Sequence, residues 1–197
     1  MTANRENNAL HLKLLRQVIA GDEAAFVTLY RDFSPGIYRF ALRMSGNESL
    51  AEDVTQEVFM IMMQEGHRYD EAKGSLKSYL YGVTRFQIWK KVARDRSMIS
   101  IDAENDFAED LFSVLPDPLL DLSRAETVQS VREAILVLPP HYREAVVLCD
   151  LHELSYREAA EILGCAIGTV RSRLHRARGM LAERLRPVHQ VARHCSQ

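Results

Sequence analysis

Ser155-Tyr-Arg-Glu-Ala-Ala-Glu-Ile-Leu-Gly164, followed after three residues by Gly168-Thr-Val-Arg-Ser-Arg-Leu-His-Arg-Ala-Arg178, is the stretch that decides the fold class. Ser155 and Glu158 have capping-box spacing: the Ser hydroxyl can accept from the Glu158 N–H while the Glu158 carboxylate returns to the Ser155 N–H. Ala159, Ala160, Ile162 and Leu163 supply an apolar face, and Gly164 can take the left-handed conformation that stops a helix. A second helix starts near Ala166 to Thr169, where Val170, Leu174, Ala177 and Leu181 recur at four-, three- and four-residue intervals. These face a core, which leaves Thr169, Arg171, Ser172, His175 and Arg176 on the outer side. Helix, short turn, and a helix that opens with Arg and Ser/Thr is the arrangement that puts side chains in a DNA major groove. Arg can bond guanine bidentately, and hydroxyls suit phosphates or base edges. A bare amphipathic pair with a solvated basic face would match the Arg content, but not the capping box and the Gly stop together.

Outward from this motif, charge is unevenly placed. The whole chain of 197 residues has net charge −2, which by itself argues mildly against nucleic acid as a partner. Yet 68–96 carries eight Lys/Arg against three Asp/Glu, 171–186 carries six Arg against one Glu, and 97–123 carries seven Asp/Glu and no Lys/Arg. Two basic modules joined by a linker that avoids DNA fit this pattern. Gly and Pro are scarce and aromatics make up 8%, which favours helices over sheets.

Helical periodicity runs through Leu10–Arg31 with Gly21-Asp22 interrupting, then from Pro35, with Ser34 as N-cap, to Met44. It continues from Leu50 to Gln64, which Gly66 ends, and from Ser75 to Arg94. It resumes at Val128, breaks at Pro139-Pro140 and continues from Tyr142 to Leu151. The expected architecture is all-α: two helical domains joined by an acidic linker, the C-terminal one bearing the helix-turn-helix. The boundaries are 1–96, 97–123 and 124–186, with 187–197 as a tail.

The helix from Leu50 puts Asp53, Gln56 and Glu57 on one face. Spacing alone reads this as a solvated acidic face. Farther on, Tyr69, Tyr79, Tyr81, Phe86 and Trp89 are interleaved with Lys73, Lys77, Arg85, Lys90 and Lys91. Cations track phosphates and rings stack on unpaired bases, so the mixture suits a melted strand, although Tyr81 and Trp89 fit a core equally well. Cys149, Cys165 and Cys195 are odd in number and widely spaced, so reduced thiols are expected, with no metal site. His189, His194 and Cys195 read as a frayed end. No Walker A, G-x-S-x-G or H-E-x-x-H sequence occurs, so no enzyme and no cofactor are implied. No run of ~18 apolar residues and no signal sequence is present, so membrane insertion is not expected and a cytoplasmic location is.

The helix-turn-helix segment, preceded by Leu138-Pro-Pro-His-Tyr-Arg-Glu-Ala-Val-Val-Leu148, resembles region 4 of bacterial extracytoplasmic-function sigma factors. Upstream, Ala51-Glu-Asp-Val-Thr-Gln-Glu-Val-Phe59 resembles their region 2.2, and Gly21-Asp-Glu-Ala-Ala-Phe26 the entry to region 2. Tyr69-Asp70, Gly74-Ser75 and Tyr79-Leu80 resemble the stretch that captures the promoter −10 element. The resemblance spans about 12–96 and 124–186, in the family's order.

It implies a transcription initiation factor with core RNA polymerase (β′ clamp and β flap), promoter DNA and an anti-sigma factor as partners. It assigns Asp53, Gln56 and Glu57 to the β′ clamp. It assigns Tyr69, Lys73, Ser75, Lys77, Tyr79, Arg85, Phe86, Trp89 and Lys90 to the −10 strand. It assigns Thr169, Arg171, Ser172, Arg173, His175, Arg176 and Arg178 to the −35 element. Tyr79 stands where the family usually has Trp, and Phe86 and Lys90 stand where Asn and Asp are common, so the −10 preference stays open. A stand-alone helix-turn-helix regulator is the competing reading. It would need a ligand pocket or dimer surface in the N-terminal half.

Overall fold

The computed structural model describes residues 2–99 and 122–194, with side chains over 7–94 and 126–186. Among the described residues there are helices and helical turns and no strand. The N-terminal half is α1 (Thr2–Ile19), α2 (Glu23–Ser45), α3 (Glu48–Glu65) and α4 (Leu76–Ile99), with 3-10 turns at Gly66–Arg68 and Glu71–Lys73. The C-terminal half is α5 (Leu122–Val137), α6 (Pro140–Val146) running into a π-type turn (Val147–Leu151), α7 (Tyr156–Leu163) and α8 (Ile167–His194). All of the expected acidic linker except its ends lies outside the described residues.

Local chemistry places the helix ends. Asp22 caps α2 by accepting from the Ala25 N–H at 3.0 Å, and Asn47 caps α3 by accepting from the Leu50 N–H at 2.9 Å. Each such cap stabilises by about 1 kcal/mol. Gly46 closes α2 at φ 70°. The start of α4 is tied from afar: the Asn8 side-chain Oδ1 accepts from the Leu76 N–H at 3.2 Å, which fixes α1 against α4.

One expected helix start is absent. Ser34 is not an N-cap and Pro35 does not open a helix, because α2 runs unbroken through both. Proline removes one N–H and its ring crowds the preceding turn, at about 3 kcal/mol inside a helix. The apolar face of Ala25, Leu29, Phe33, Ile37, Phe40 and Met44 continues in phase on both sides of it, all buried, and that burial outweighs the local cost. Gly66 ends α3 as expected, in right-handed helical conformation, and passes directly into a 3-10 turn. Its lack of a side chain lets Leu15 approach: a Cβ there would lie 3.2 Å from the Leu15 Cδ1. At the other end, α8 extends to His194 instead of fraying after Arg186. The side chains of His189, His194 and Cys195 lie outside the described residues.

The two halves share one hydrophobic core. Leu29, Ile37, Phe40, Val54, Phe59, Met62, Leu76, Leu80 and Ile88 form its N-terminal part. Ile135, Leu138, Val147, Leu148, Leu154, Ile162, Val170, Leu174 and Ala177 form its C-terminal part. The halves meet where α4 packs on α7 and where α2 packs on α5 and the π-type turn. Tyr81 is buried, as one of its two sequence readings allowed. Cys149 is half-buried and its thiol is pushed up to about 11, first by burial and then by Asp150, which keeps it unreactive at neutral pH.

At this junction the Tyr81 hydroxyl and His152 Nδ1 are 3.1 Å apart. Burial, then the charges of Arg43, Arg39 and Lys77, push the imidazole down to about 4. The folded pKa lies below the unfolded one, so the neutral ring is favoured. Stability on this account is flat above pH ~6.5 and is lost as pH falls from there toward 4, where the unfolded chain takes up the proton. We therefore expect the melting temperature to fall between pH 7 and 5. His152→Gln should fall less than wild type in parallel thermal melts, and equal losses in both chains would exclude this role for His152.

Candidate nucleic-acid interface

The recognition module is built from the residues its spacing pointed to. The Ser155 Oγ accepts from the Glu158 N–H at 3.3 Å, and the Glu158 carboxylate accepts from the Ser155 N–H at 2.9 Å. Gly164 ends α7 in the left-handed region at φ 62°. Val170, Leu174 and Ala177 are buried, which turns the opposite face of α8 to solvent. Arg171, Ser172, His175, Arg176 and Arg178 are exposed, whereas Thr169 and Arg173 are half-buried. Arg171 lies over the Tyr156 ring at 5.8 Å, and the Ser172 hydroxyl donates to the Thr169 carbonyl at 3.0 Å. Arg176 donates to the Tyr142 hydroxyl at 3.4 Å. Arg178 differs from its neighbours: it makes two bonds to Asp150, at 2.6 and 3.0 Å. A phosphate would have to compete with a carboxylate for it.

On α3, Asp53 and Gln56 are exposed and Glu57 is half-buried, one turn apart on the same side. Asp53 pairs with Lys91 of α4 at 3.0 Å. Phe59 is buried at 2% exposure, against Phe26 and Tyr30, so it belongs to the core and not to this surface.

The segment expected to meet a single strand forms one wall of a cleft of about 710 Å³. Tyr69, Lys73, Ser75, Tyr79, Val83, Phe86 and Lys90 line it, with Glu161 and Ile162 of α7 closing the far side. The Tyr69 hydroxyl donates to the Gly74 carbonyl at 2.7 Å and its ring meets Tyr79 edge-on at 5.4 Å, so both rings are fixed. Burial first, then Glu71, pushes the Tyr69 hydroxyl up, and burial followed by Glu65 does the same for Tyr79. Both therefore stay neutral donors. Ser75 Oγ accepts from the Ser78 N–H at 3.1 Å and starts α4. Lys73 is exposed beside Asp70 at 3.5 Å. Phe86 is 64% exposed, an aromatic face open to stacking, and Lys90 beside it is exposed.

Arg85, Trp89 and Lys77 of the same set are placed differently. Lys77 is half-buried. Arg85 and Trp89 point away from the open cleft toward the C-terminal half, where both donate to the Glu144 carboxylate, at 2.6 and 2.8 Å. Sequence reasoning missed Glu144, 2% exposed, together with its neighbour Arg143. Arg143 donates to the carbonyls of Met44 (2.6 Å), Leu138 (3.2 Å) and Leu136. Burial pushes the Arg143 guanidinium down to about 10. In the sequence these two look like ordinary polar residues of a short helix, and no spacing signal marks them.

A Sigma-70 region 2 family model matches residues 29–97, and a Sigma-70, region 4 model matches residues 128–181. The chain is similar to the ECF RNA polymerase sigma factor SigW of Bacillus subtilis, 32% identical over 185 residues that cover 89% of this chain and 97% of the relative. It is similar also to the ECF RNA polymerase sigma factor SigE of Mycolicibacterium smegmatis, 34% identical over 168 residues, 84% of this chain but 64% of that longer relative. Among solved structures it matches the sigma factor RpoE in complex with the anti-sigma factor NepR from Bartonella quintana, with TM-score 0.68, 30% identity, and 82% and 96% of the two chains covered. CnrH in complex with the cytosolic domain of CnrY, at 21% identity and TM-score 0.67, shares the fold over 90% of this chain and 98% of that one. With both sigma regions matched in order and a near full-length relative at this identity, the chain belongs to the extracytoplasmic-function RNA polymerase sigma factors.

Proposed function

We propose that this chain binds core RNA polymerase, reads the −35 and −10 promoter elements and promotes melting for transcription initiation. Residues 1–96 act as the polymerase-binding and −10 unit, residues 124–186 as the −35 unit, and the acidic 97–123 as the linker between them. The observation that carries the reading is the order of three surfaces along one chain. First comes the exposed acidic side of α3, then the aromatic-lined cleft beside α4 that Lys73 and Lys90 also line, then the exposed basic side of α8. The stand-alone regulator reading is not favoured, because the N-terminal half matches the Sigma-70 region 2 model over residues 29–97.

In this reading Asp53, Gln56 and Glu57 meet the β′ clamp, and the C-terminal unit meets the β flap. Tyr69, Tyr79, Phe86 and Lys90 receive the −10 strand, and the chain works as a DNA-binding factor, not an enzyme. An anti-sigma factor is a natural partner, since the RpoE relative was solved with one. A cytoplasmic site of action follows from such partners. Among the described residues no helix is long and apolar enough to cross a membrane.

Run-off transcription with purified core polymerase tests the central claim. Asp53→Ala combined with Gln56→Ala should weaken core binding on the order of tenfold while leaving the thermal melt nearly unchanged, because exposed side chains contribute little to stability. Undiminished co-purification with core would remove the α3 surface from the account.

On α8, removing a base-reading Arg should cost about 1–3 kcal/mol and relax preference at one position, whereas losing a phosphate contact weakens all sequences alike and lowers the salt slope by about one. Arg171→Ala and Arg176→Ala should therefore change the ranking of −35 variants. Arg178→Ala should change salt dependence alone, and less than a free Arg would, because Asp150 already engages it. A −35 panel in which all three behave alike would refute the assignment.

A further inference from the structure

Helix α4 presents two stripes. Tyr79, Val83, Phe86 and Lys90 line the cleft. Ser78, Tyr81, Arg85 and Trp89, three and four residues apart, lie along an adjoining stripe, and each bonds a residue of the C-terminal half. Ser78 donates to Glu161 at 3.3 Å, the Tyr81 hydroxyl meets His152 at 3.1 Å, and Arg85 and Trp89 donate to Glu144. Arg85 and Trp89 are groups of the kind a promoter strand needs, a guanidinium for phosphate and an indole for stacking. In this structure a carboxylate occupies both.

Glu161 extends the same occupation to the mouth of the cleft. Its Oε2 stands 3.1 Å from where a Cβ on Gly74 would be, a close approach to a residue whose φ of 148° itself favours glycine. Glu161 also pairs with Arg157 at 3.5 Å on its own helix, so its position is supported from the C-terminal side. Two acidic side chains of the −35 unit thus stand along the −10 face. The Glu144 carboxylate is buried while the Arg85 side chain keeps about a third of its surface in water, and a buried carboxylate is costly to leave without its partners. The junction should therefore open as a unit and not fray.

We propose that Glu144 and Glu161 form an internal latch: in the free chain Glu144 holds Arg85 and Trp89 and Glu161 stands at the mouth of the cleft, so the two sigma regions are kept closed, and both contacts must be displaced before a promoter strand can engage α4. This rests on the sigma reading above. In the closed form the competent fraction is small, so apparent strand affinity is lowered by that fraction.

The test uses the full chain and its Glu144→Gln/Glu161→Gln variant, with small-angle scattering for compactness. Strand binding is measured with a fluorescent single-stranded oligonucleotide of roughly twelve mixed-sequence nucleotides. Wild type should have a radius of gyration near the ~16 Å of a compact chain of this length. The variant should be larger and bind the oligonucleotide roughly tenfold more tightly. Because Glu144 is buried, Glu161→Gln alone serves as the variant that keeps the fold, and it should shift both readouts the same way by less. A variant as compact as wild type, or one that opens with no gain in strand binding, would overturn the latch. Run-off transcription separates this from the underlying reading. An active wild type beside an unopened variant sinks the latch alone, and a wild type that directs no transcript sinks both.

Discussion

A single carboxylate, that of Glu144, organises the junction on which the arrangement of this molecule depends. A carboxylate removed from water is tolerated when charge and hydrogen bonds replace hydration. Glu144 has both, from the Arg85 guanidinium and the Trp89 indole N–H. Arg143, adjacent in the chain, does the converse with a cation, giving its guanidinium to backbone carbonyls at the end of α2 and around α5. One short helix thus sends an anion to α4 and a cation to α2. The relative placement of the two halves is set by directional bonds as well as by apolar packing, which has little orientational preference.

That arrangement divides the DNA-facing groups. On α8 the buried line of Val170, Leu174 and Ala177 leaves the Arg-rich side facing solvent, and nothing from the N-terminal half is needed to keep it so. On α4 the division is different. Leu76, Leu80 and Ile88 are committed to the core, a second stripe is committed to the C-terminal half, and a third lines the cleft. A helix used on three sides has no single polar face. This explains why its sequence reads as a mixture of rings and cations and not as an amphipathic stripe.

The places where sequence and structure part have specific causes. Pro35 looks like a helix start because proline favours the first turn, a local preference. The phase of Leu29, Phe33, Ile37 and Phe40 across it is a tertiary fact, and burial of those side chains overrides the local signal. Gly66 does stop α3 as its sequence suggests, but the close approach of Leu15 from another helix is a tertiary use that no local signal shows. Tyr81 and Trp89 could not be sorted into core or platform from spacing, because the sorting depends on which distant residues, His152 and Glu144, arrive beside them.

By itself the sequence determined the all-α class, the capping box and Gly stop of the recognition module, and the inward and outward faces of α3 and α8. It also determined the membership motifs in both halves. These are local or periodic properties, written in residues within a few turns of one another. Only the tertiary structure decided that Glu144, 55 residues from Trp89 in the chain, would meet it. The same holds for Glu161 facing Gly74 and for Asp150 engaging Arg178. Such pairings carry no periodic signature. They come from how two apolar surfaces fit, and a charge becomes a latch or a solvated side chain according to what that fit brings within hydrogen-bonding distance.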